Sequence, residues 1–210
     1  MFSEGRLQNP TICWDIRASR ATHRAVRDGV YDSDNVTGAD NQQERLSVAS
    51  IPSELGNFLA GFALGEASFM IVCRRRGDYT RRWKLSAAFN VSQSDRAPLD
   101  LFGETLMCGS MRKAGNGGWY WEVNRLSDIR SRIVPFFRRF PLVGWKAHDF
   151  ELFAQGVELL SKEAMSDADY EQVLLVREQM NRGGKRRYTM ERILRDYTPS
   201  SPTDLAGEMR

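Results

Sequence analysis

The chain has few of the side chains that build disulfide frameworks or zinc sites. Its 210 residues include three cysteines, Cys13, Cys73 and Cys108, and two histidines, His23 and His148. An odd, widely spaced set of cysteines predicts reduced thiols, and two isolated histidines match no zinc-binding pattern. We therefore expect an intracellular protein, cytoplasmic or organellar, rather than a secreted one.

Long apolar runs are also lacking. Residues 54–65 carry a single charge, Glu54, but a membrane-spanning helix needs about 20 apolar residues. No signal peptide is recognisable either. We expect no membrane partner.

An excess of one charge is missing as well, since the net charge is only +3. The whole-chain charge balance is therefore a weak argument for nucleic acid as a partner. The distribution of charge says more, because basic residues form two clusters in the sequence. The first cluster is Arg74, Arg75, Arg76, Arg81, Arg82 and Lys84, and the second is Lys185, Arg186 and Arg187.

What the chain does contain is a glycine-spaced apolar segment that begins after Pro52, with Ser53 as the expected helix N-cap. Gly61 and Gly65 lie four residues apart, so a helix places them on one face. Small side chains there let a second helix approach closely. Glu66 falls where this helix is predicted to end, and a carboxylate beside an apolar contact needs a cation or hydrogen-bond donors.

Alternating residues follow this helix. Residues 68–75 predict a first strand, Gly77 and Asp78 a turn, and residues 81–93 a second strand. One side of the second strand is apolar and the other is polar and basic, which predicts a sheet with one buried and one open face. The apolar side is Trp83, Leu85, Ala87, Phe89 and Val91, and the polar side is Arg82, Lys84, Ser86, Asn90 and Ser92, with Ala88 as its one apolar member.

Beyond the second strand, the pattern predicts a helix from Ser94 or Asp95 to about Met107 and strands at 109–113 and 119–125. A helix starting at Ser127 and Asp128 and ending at Pro141 follows, and then helices at about 148–162 and 167–180. The order is helix, strand, strand, helix, strand, strand, helix, helix, in the α+β class. We expect a weakly structured extension over 1–50, one domain over 51–197, and a disordered tail over 198–210.

The glycine-spaced segment reads LAGFALGEASF over residues 59–69. It resembles the defining helix of the LAGLIDADG homing endonucleases, which reads LAGxxDGEGSF in many members. Leu64 and Ala67 depart from that pattern, and Glu66 stands at the family's acid. The element order also matches the family's αββαββα core, which has a four-stranded saddle sheet, mixed or antiparallel, here with an additional C-terminal helix. Segments at 89–93, 133–142, 146–150 and 180–188 extend the resemblance over about residues 54–190.

The resemblance implies a function and an assembly. Family members cut both strands of a long DNA site, with divalent metals held between two such helices. One copy of the helix in this chain implies a homodimer. The implied contact residues are Leu59, Gly61, Phe62 and Gly65. Two Glu66 carboxylates would then meet, and together with the carbonyl group of Gly65 they would bind Mg²⁺ or Mn²⁺.

Two further catalytic residues are implied by their place in the family pattern. Gln93 matches a polar group at the end of the second strand, which positions water, and Lys146 matches a lysine before the last core helix, which stabilises charge. The register around Lys146 allows a shift of two residues. The alternatives are an ordinary polar strand end for Gln93 and a solvent-exposed helix start for Lys146.

The same resemblance implies that the open sheet face lies in the major groove of double-stranded DNA, where Arg and Asn read base edges and basic charge contacts phosphates. The implied DNA-binding residues are Ser68, Met70, Arg74, Arg76, Arg82, Lys84, Ser86, Asn90, Arg112, Tyr120, Glu122 and Asn124. Val72 lies on the same face.

Two other functions stay open. Some relatives of this fold are RNA splicing helpers or transcription regulators that do not cut DNA. Leu64 and Ala67 are compatible with such a loss of catalysis, and intron RNA would then be a partner. A module that dimerises through the glycine face without nucleic acid agrees with the helix but not with the basic strand face.

Overall fold

The computed structural model describes residues 47–79, 81–115, 117–184 and 186–196. The extension before residue 47, the predicted tail, and Lys185 of the second basic cluster lie outside the described residues. Four strands and two helices come first: α1 Ser53–Glu66, β1 Ala67–Arg75, β2 Trp83–Gln93, α2 Ala97–Leu106, β3 Ser110–Lys113 and β4 Trp119–Val123.

Helices make up the rest. Helix α3 consists of Leu126–Asp128, a π-helical stretch Ile129–Ile133, and Val134–Arg139. The others are α4 Gly144–Leu160, α5 Asp167–Gln179 and α6 Met190–Arg195, with single 3₁₀ turns at Val48–Ser50 and Met180–Gly183. The predicted α+β class and order of elements are confirmed, and α6 is an element that the sequence pattern did not predict. None of the described helices has the length and apolar character needed to cross a membrane.

The strands form one antiparallel sheet in the order β1-β2-β4-β3. Ala67 lies opposite Val91, and Arg75 opposite Trp83, so β1 and β2 pair along almost their whole length. Strand β4 pairs only with the last part of β2, from Phe89 to Gln93. The start of β1, the end of β2 and the start of β4 therefore lie at the same end of the sheet.

The helices cover one face of this sheet. The ring of Phe69 lies 5.0–5.6 Å, between centroids, from the rings of Phe89, Phe137, Phe150 and Phe153. The predicted apolar side of β2 is buried throughout, from Trp83 to Val91. Burial of large apolar side chains is the main stabilising term for such a fold. None of the described helices covers the opposite face of the sheet, which we call the open sheet face.

Helix starts differ from the predictions for local reasons. Helix α1 begins at Ser53 itself, and Pro52 is its N-cap without a side-chain hydrogen bond, so Ser53 is not the cap. Helix α2 begins at Ala97, whose N–H donates to Asp95 Oδ1 at 3.0 Å. Helix α4 begins four residues earlier than predicted, because Gly144 adopts a φ of 60° at the entry turn, which glycine tolerates.

The last residues of the predicted extension belong to the fold. Val48 is buried, and its carbonyl oxygen accepts a hydrogen bond from Arg139 Nη1. The folded part of the chain therefore begins before residue 51.

The packing of α1 on the core can be tested at Gly56, a glycine within this helix. A Cβ added at Gly56 would lie 2.2 Å from Cζ of the buried Phe140 ring, so Gly56→Ala must displace that ring. We expect a loss of about 1–3 kcal/mol in the free energy of unfolding, measured by urea denaturation. Gly103→Ala in α2 is the matched control, since its Cβ would lie 3.4 Å from the Trp121 indole nitrogen. The control should keep or gain stability, by up to about 1 kcal/mol. Equal stability of the two variants would contradict this packing.

Candidate functional site

Glu66 is the last residue of α1 and its side chain is exposed to solvent. The next residue, Ala67, starts β1 with its side chain in the core. The chain thus passes directly from the glycine-spaced helix into the sheet, and this holds the carboxylate at the sheet end where β2 stops and β4 starts.

Gln93 and Lys146 come to the same place from two other elements. Gln93 ends β2 and lines a shared cavity with Glu66, together with Ser92, Ser94, Trp119 and Tyr120. Lys146, in the first turn of α4, donates from Nζ to the carbonyl oxygen of Ala67 at 2.6 Å. The ammonium group is therefore fixed to the residue that follows Glu66, so the helix-start lysine is half-buried rather than free in solvent.

The side-chain amide of Gln93 is held locally. Its Oε1 accepts hydrogen bonds from the N–H of Ser94 at 2.7 Å and from the Ser94 hydroxyl at 3.0 Å. Both contacts use the oxygen, so the NH₂ group remains to donate to a water or a phosphate oxygen.

One side of α1 has no neighbour among the described residues. Phe58 is 50% exposed, and Asn57, Gly61 and Gly65 are exposed as well. A Cβ added at Gly61 or Gly65 would meet nothing within 4 Å. The spacing of these positions places them on a single stripe of the helix, which we call the open helix face (Asn57, Phe58, Gly61 and Gly65).

Two of the predicted contact residues lie elsewhere on α1. Leu59 is fully buried in the chain's own core, so it does not lie on the open helix face. Phe62 is half-buried, with its ring 6.1 Å from that of Phe102 and 6.4 Å from that of Phe58. Phe58, which the sequence prediction left out, is the exposed apolar side chain on this face. The spacing of Phe58, Gly61 and Gly65 was the signal that could have identified it.

The open sheet face carries the predicted residues in rows set by the strand register. Ser68 lies opposite Asn90, which lies opposite Glu122. Arg74 lies opposite Lys84, and Arg112 lies opposite Tyr120. All twelve predicted residues are exposed or half-buried, whereas Ala88 is buried on this side.

Several of these side chains already have partners. Arg112 pairs with Glu122 at 3.4 Å and its guanidinium lies 4.7 Å from the centre of the Tyr120 ring. Arg76 pairs with Asp78, and this raises the pKa of Arg76 and lowers that of Asp78. The described residues contain no ion pair for Arg74 or Lys84, so these two side chains carry uncompensated positive charge on the open face.

The first basic cluster is divided by the fold. Arg81 is 4% exposed, and its Nη2 donates to the Met165 carbonyl at 2.6 Å and to Asp167 at 3.2 Å. Arg81 therefore links the β1–β2 turn to the start of α5 through these hydrogen bonds, and its side chain does not face solvent. Arg82 precedes β2, contrary to the predicted strand start, and it adopts a φ of 60° while its carbonyl accepts from the N–H of Arg76.

The described part of the chain contains no group of three His, Cys, Asp or Glu side chains that could hold a metal ion. Glu66 is an exposed carboxylate at a helix end, where the last carbonyl oxygens lack helical partners. Oxygen donors of this kind suit Mg²⁺ or Mn²⁺.

A family model described as LAGLIDADG endonuclease matches residues 59–157, from α1 to α4. Over these residues the chain is similar to the LAGLIDADG endonucleases. A curated relative, the probable intron-encoded endonuclease 2 of Neurospora crassa, is 26% identical in an alignment of 130 positions that covers 57% of this chain and 26% of the relative. The chain thus spans about a quarter of that relative's length.

Solved structures confirm the fold. The meganuclease I-SmaMI bound to uncleaveable DNA is 27% identical with a TM-score of 0.58, over 63% of this chain and 47% of that one. The homing endonuclease I-TnaI is 22% identical, also with a TM-score of 0.58, over 67% of this chain and 94% of that one. The described domain therefore corresponds to about half of an I-SmaMI chain and to nearly all of an I-TnaI chain.

Proposed function

We propose that this protein is a site-specific DNA endonuclease that acts as a homodimer. It makes double-strand breaks at a long target site by hydrolysis of phosphodiester bonds with a divalent metal. The observation that carries the proposal is the convergence of Glu66, Gln93 and Lys146 at the end of a helix with one open face, beside a basic open sheet face.

The open helix face supports the homodimer. An aromatic side chain at 50% exposure next to two glycines without neighbours leaves apolar surface in water, which a second copy of the helix would remove. A twofold axis through this face pairs the same residues on both copies. The match to one half of I-SmaMI and to nearly all of I-TnaI supports a domain that needs a second copy.

The donor atoms at Glu66 agree with a divalent metal site made from two copies. Two facing carboxylates without a cation would repel each other. The neighbouring carbonyl of Gly65 is a further hard oxygen donor. A bound Mg²⁺ or Mn²⁺ would supply an activated water and stabilise the leaving oxygen.

The protein side chains perform the remaining steps. Gln93 is placed to donate from its free NH₂ group to the attacking water and hold it in line with the phosphorus. Lys146, fixed to the Ala67 carbonyl at 2.6 Å, is placed to stabilise negative charge on the phosphate as the bond breaks. The open sheet face supplies the DNA contacts that keep the scissile phosphate over these groups.

Leu64 bears on the choice between cleavage and binding alone. Its half-buried side chain packs against the hydrophobic core. The core therefore accommodates leucine at the position where the family pattern has Asp. Glu66 remains exposed beside it. This arrangement favours the nuclease over the non-cleaving splicing or regulatory function.

The assembly prediction concerns the open helix face. Gly61→Leu should leave the subunit folded, because a Cβ there meets nothing within 4 Å, but its side chain should separate the two helices. Sedimentation velocity should show a dimer for the wild type and a monomer for the variant. Gln155→Leu, exposed on α4 away from the open helix face, is the control and should stay dimeric. A wild-type monomer that cuts both strands would refute the assembly.

The recognition prediction concerns the open sheet face. Arg82→Ala and Lys84→Ala should each weaken duplex DNA binding and reduce its salt dependence by about 0.9 units of log–log slope per lost phosphate contact. Electrophoretic titration at several salt concentrations measures both. Arg130→Ala removes an equal charge from the exposed surface of α3 and should change neither. Unchanged affinity and slope for Arg82→Ala and Lys84→Ala would exclude this face as the DNA surface.

The catalytic prediction concerns Glu66. Glu66→Gln keeps the shape of the side chain and removes its charge, so it should abolish cleavage in Mg²⁺ while DNA binding stays nearly the same. In EDTA the variant should bind more tightly than the wild type, because repulsion between the carboxylates and phosphate is relieved. Plasmid cleavage and gel-shift assays test both, with Glu54→Gln as control. Wild-type protein that binds DNA but leaves it uncut in Mg²⁺ and Mn²⁺ would favour the splicing-helper function, and cleavage by Glu66→Gln would exclude the mechanism.

A further inference from the structure

A second concentration of arginines lies along the outer edge of β1, where it shares Arg74 with the open sheet face. Strand β1 is the last strand on its side of the sheet. The segment that follows α5 runs beside it, and the two enclose a cleft. Five guanidinium groups line this edge cleft, and no carboxylate does so among the described residues; the arginines are Arg74, Arg75, Arg177, Arg186 and Arg187.

The segment is held in place by its turn and by hydrogen bonds. Asn181, Arg182 and Gly183 all have positive φ angles, of 53°, 55° and 65°, which reverse the chain direction. Two of these are not glycine, so the turn stores backbone strain of the kind found at functional sites. The N–H of Asn181 donates to Asp149 at 2.8 Å, and Arg186 Nη2 donates to the Met180 carbonyl at 2.7 Å.

The charge in the edge cleft is only partly neutralised. Glu178 accepts from Arg177 Nη1 at 2.8 Å and lies 3.5 Å from Arg186 Nε. One carboxylate therefore pairs with two guanidinium groups that are both largely buried. Burial, together with the positive charge of Arg177, lowers the pKa of Arg186. Arg75 and Arg187 have no ion pair in the described part of the chain and are exposed at the mouth. A bound anion would supply the missing negative charge.

The cleft lacks the groups needed for covalent chemistry. Its one thiol, Cys73, is 8% exposed, and burial raises the pKa of this thiol to about 11. The thiol is therefore protonated and unreactive at neutral pH. The arginines suit a binding role, because guanidinium groups pair with phosphate oxygens in a bidentate geometry.

The position of the cleft identifies the source of the phosphate. Strands in a sheet are spaced about 4.8 Å apart, so the two outer strands of a four-stranded sheet lie about 14 Å apart, slightly more than the roughly 12 Å width of the DNA major groove. A sheet that fills the groove has its edges against the phosphates that border it. We propose that the edge cleft binds the sugar–phosphate backbone of DNA beside β1, as a contact separate from the open sheet face. This inference rests on the proposed function, since it requires DNA on that face.

The test uses the full chain and a random-sequence DNA duplex. Arg75→Gln and Arg187→Gln remove charge and keep a polar side chain at two exposed positions, and Arg130→Gln on α3 is the matched control. Each cleft variant should reduce the salt slope of binding by about 0.9, and the double variant by about twice that amount. Ethylation interference should show backbone phosphates that block wild-type binding and no longer do so for the double variant. Thermal unfolding by circular dichroism should match the wild type.

The outcomes separate the two proposals. If the double variant binds like Arg130→Gln while Arg82→Ala and Lys84→Ala weaken binding, the edge-cleft inference is wrong and the DNA-binding function remains. If the wild type binds no duplex, both fail. Inorganic phosphate that stabilises the wild type but not the double variant, without any change in duplex binding, would assign the cleft to free phosphate and overturn the inference.

Discussion

The contact on which the proposed activity depends is the approach of a second helix to the open face of α1. A single copy of the chain offers one exposed carboxylate at the end of that helix, and its described residues contain no cluster of three acidic or metal-binding side chains. Glycines at 61 and 65 leave the space a neighbouring backbone would occupy. In the proposed dimer, the same helix would provide the contact surface and, one residue further on, the acid that the contact brings to the axis.

Side chains that alternate along each strand divide the sheet into a buried face, which stabilises the fold, and an open face, which we propose for recognition. Odd-numbered residues of β2, from Trp83 to Val91, are buried under the helices, and even-numbered ones face the open side. Strand β1 follows the same rule from Ala67 to Cys73. Because side chains alternate along a strand, substitutions of the exposed side chains on the open side, where the proposed DNA contacts lie, should leave the core undisturbed. Arg81 shows the limit of this rule, since a turn residue next to the strand is buried in an ion pair with Asp167.

Much of this arrangement could be predicted from the sequence. The element order, the buried side of β2 and the end of α1 at Glu66 follow from periodicity and glycine spacing, which are local signals. Contacts between distant segments do not follow from such signals. The hydrogen bond from Lys146 to Ala67 joins residues 79 positions apart, and the start of α4 depended on the backbone of Gly144. Leu59 was placed on the contact face because family pattern alone does not give the rotation of a helix about its axis.

The central claim is that two copies of Glu66, one from each subunit, build one cleavage centre. Mixing wild-type chain with Glu66→Gln chain in varied proportions, after unfolding and refolding together, tests it directly through the rate of double-strand cleavage. The claim predicts that this rate falls with the square of the wild-type fraction, because only dimers with two carboxylates cut both strands. A linear fall would contradict it, since each subunit would then act alone.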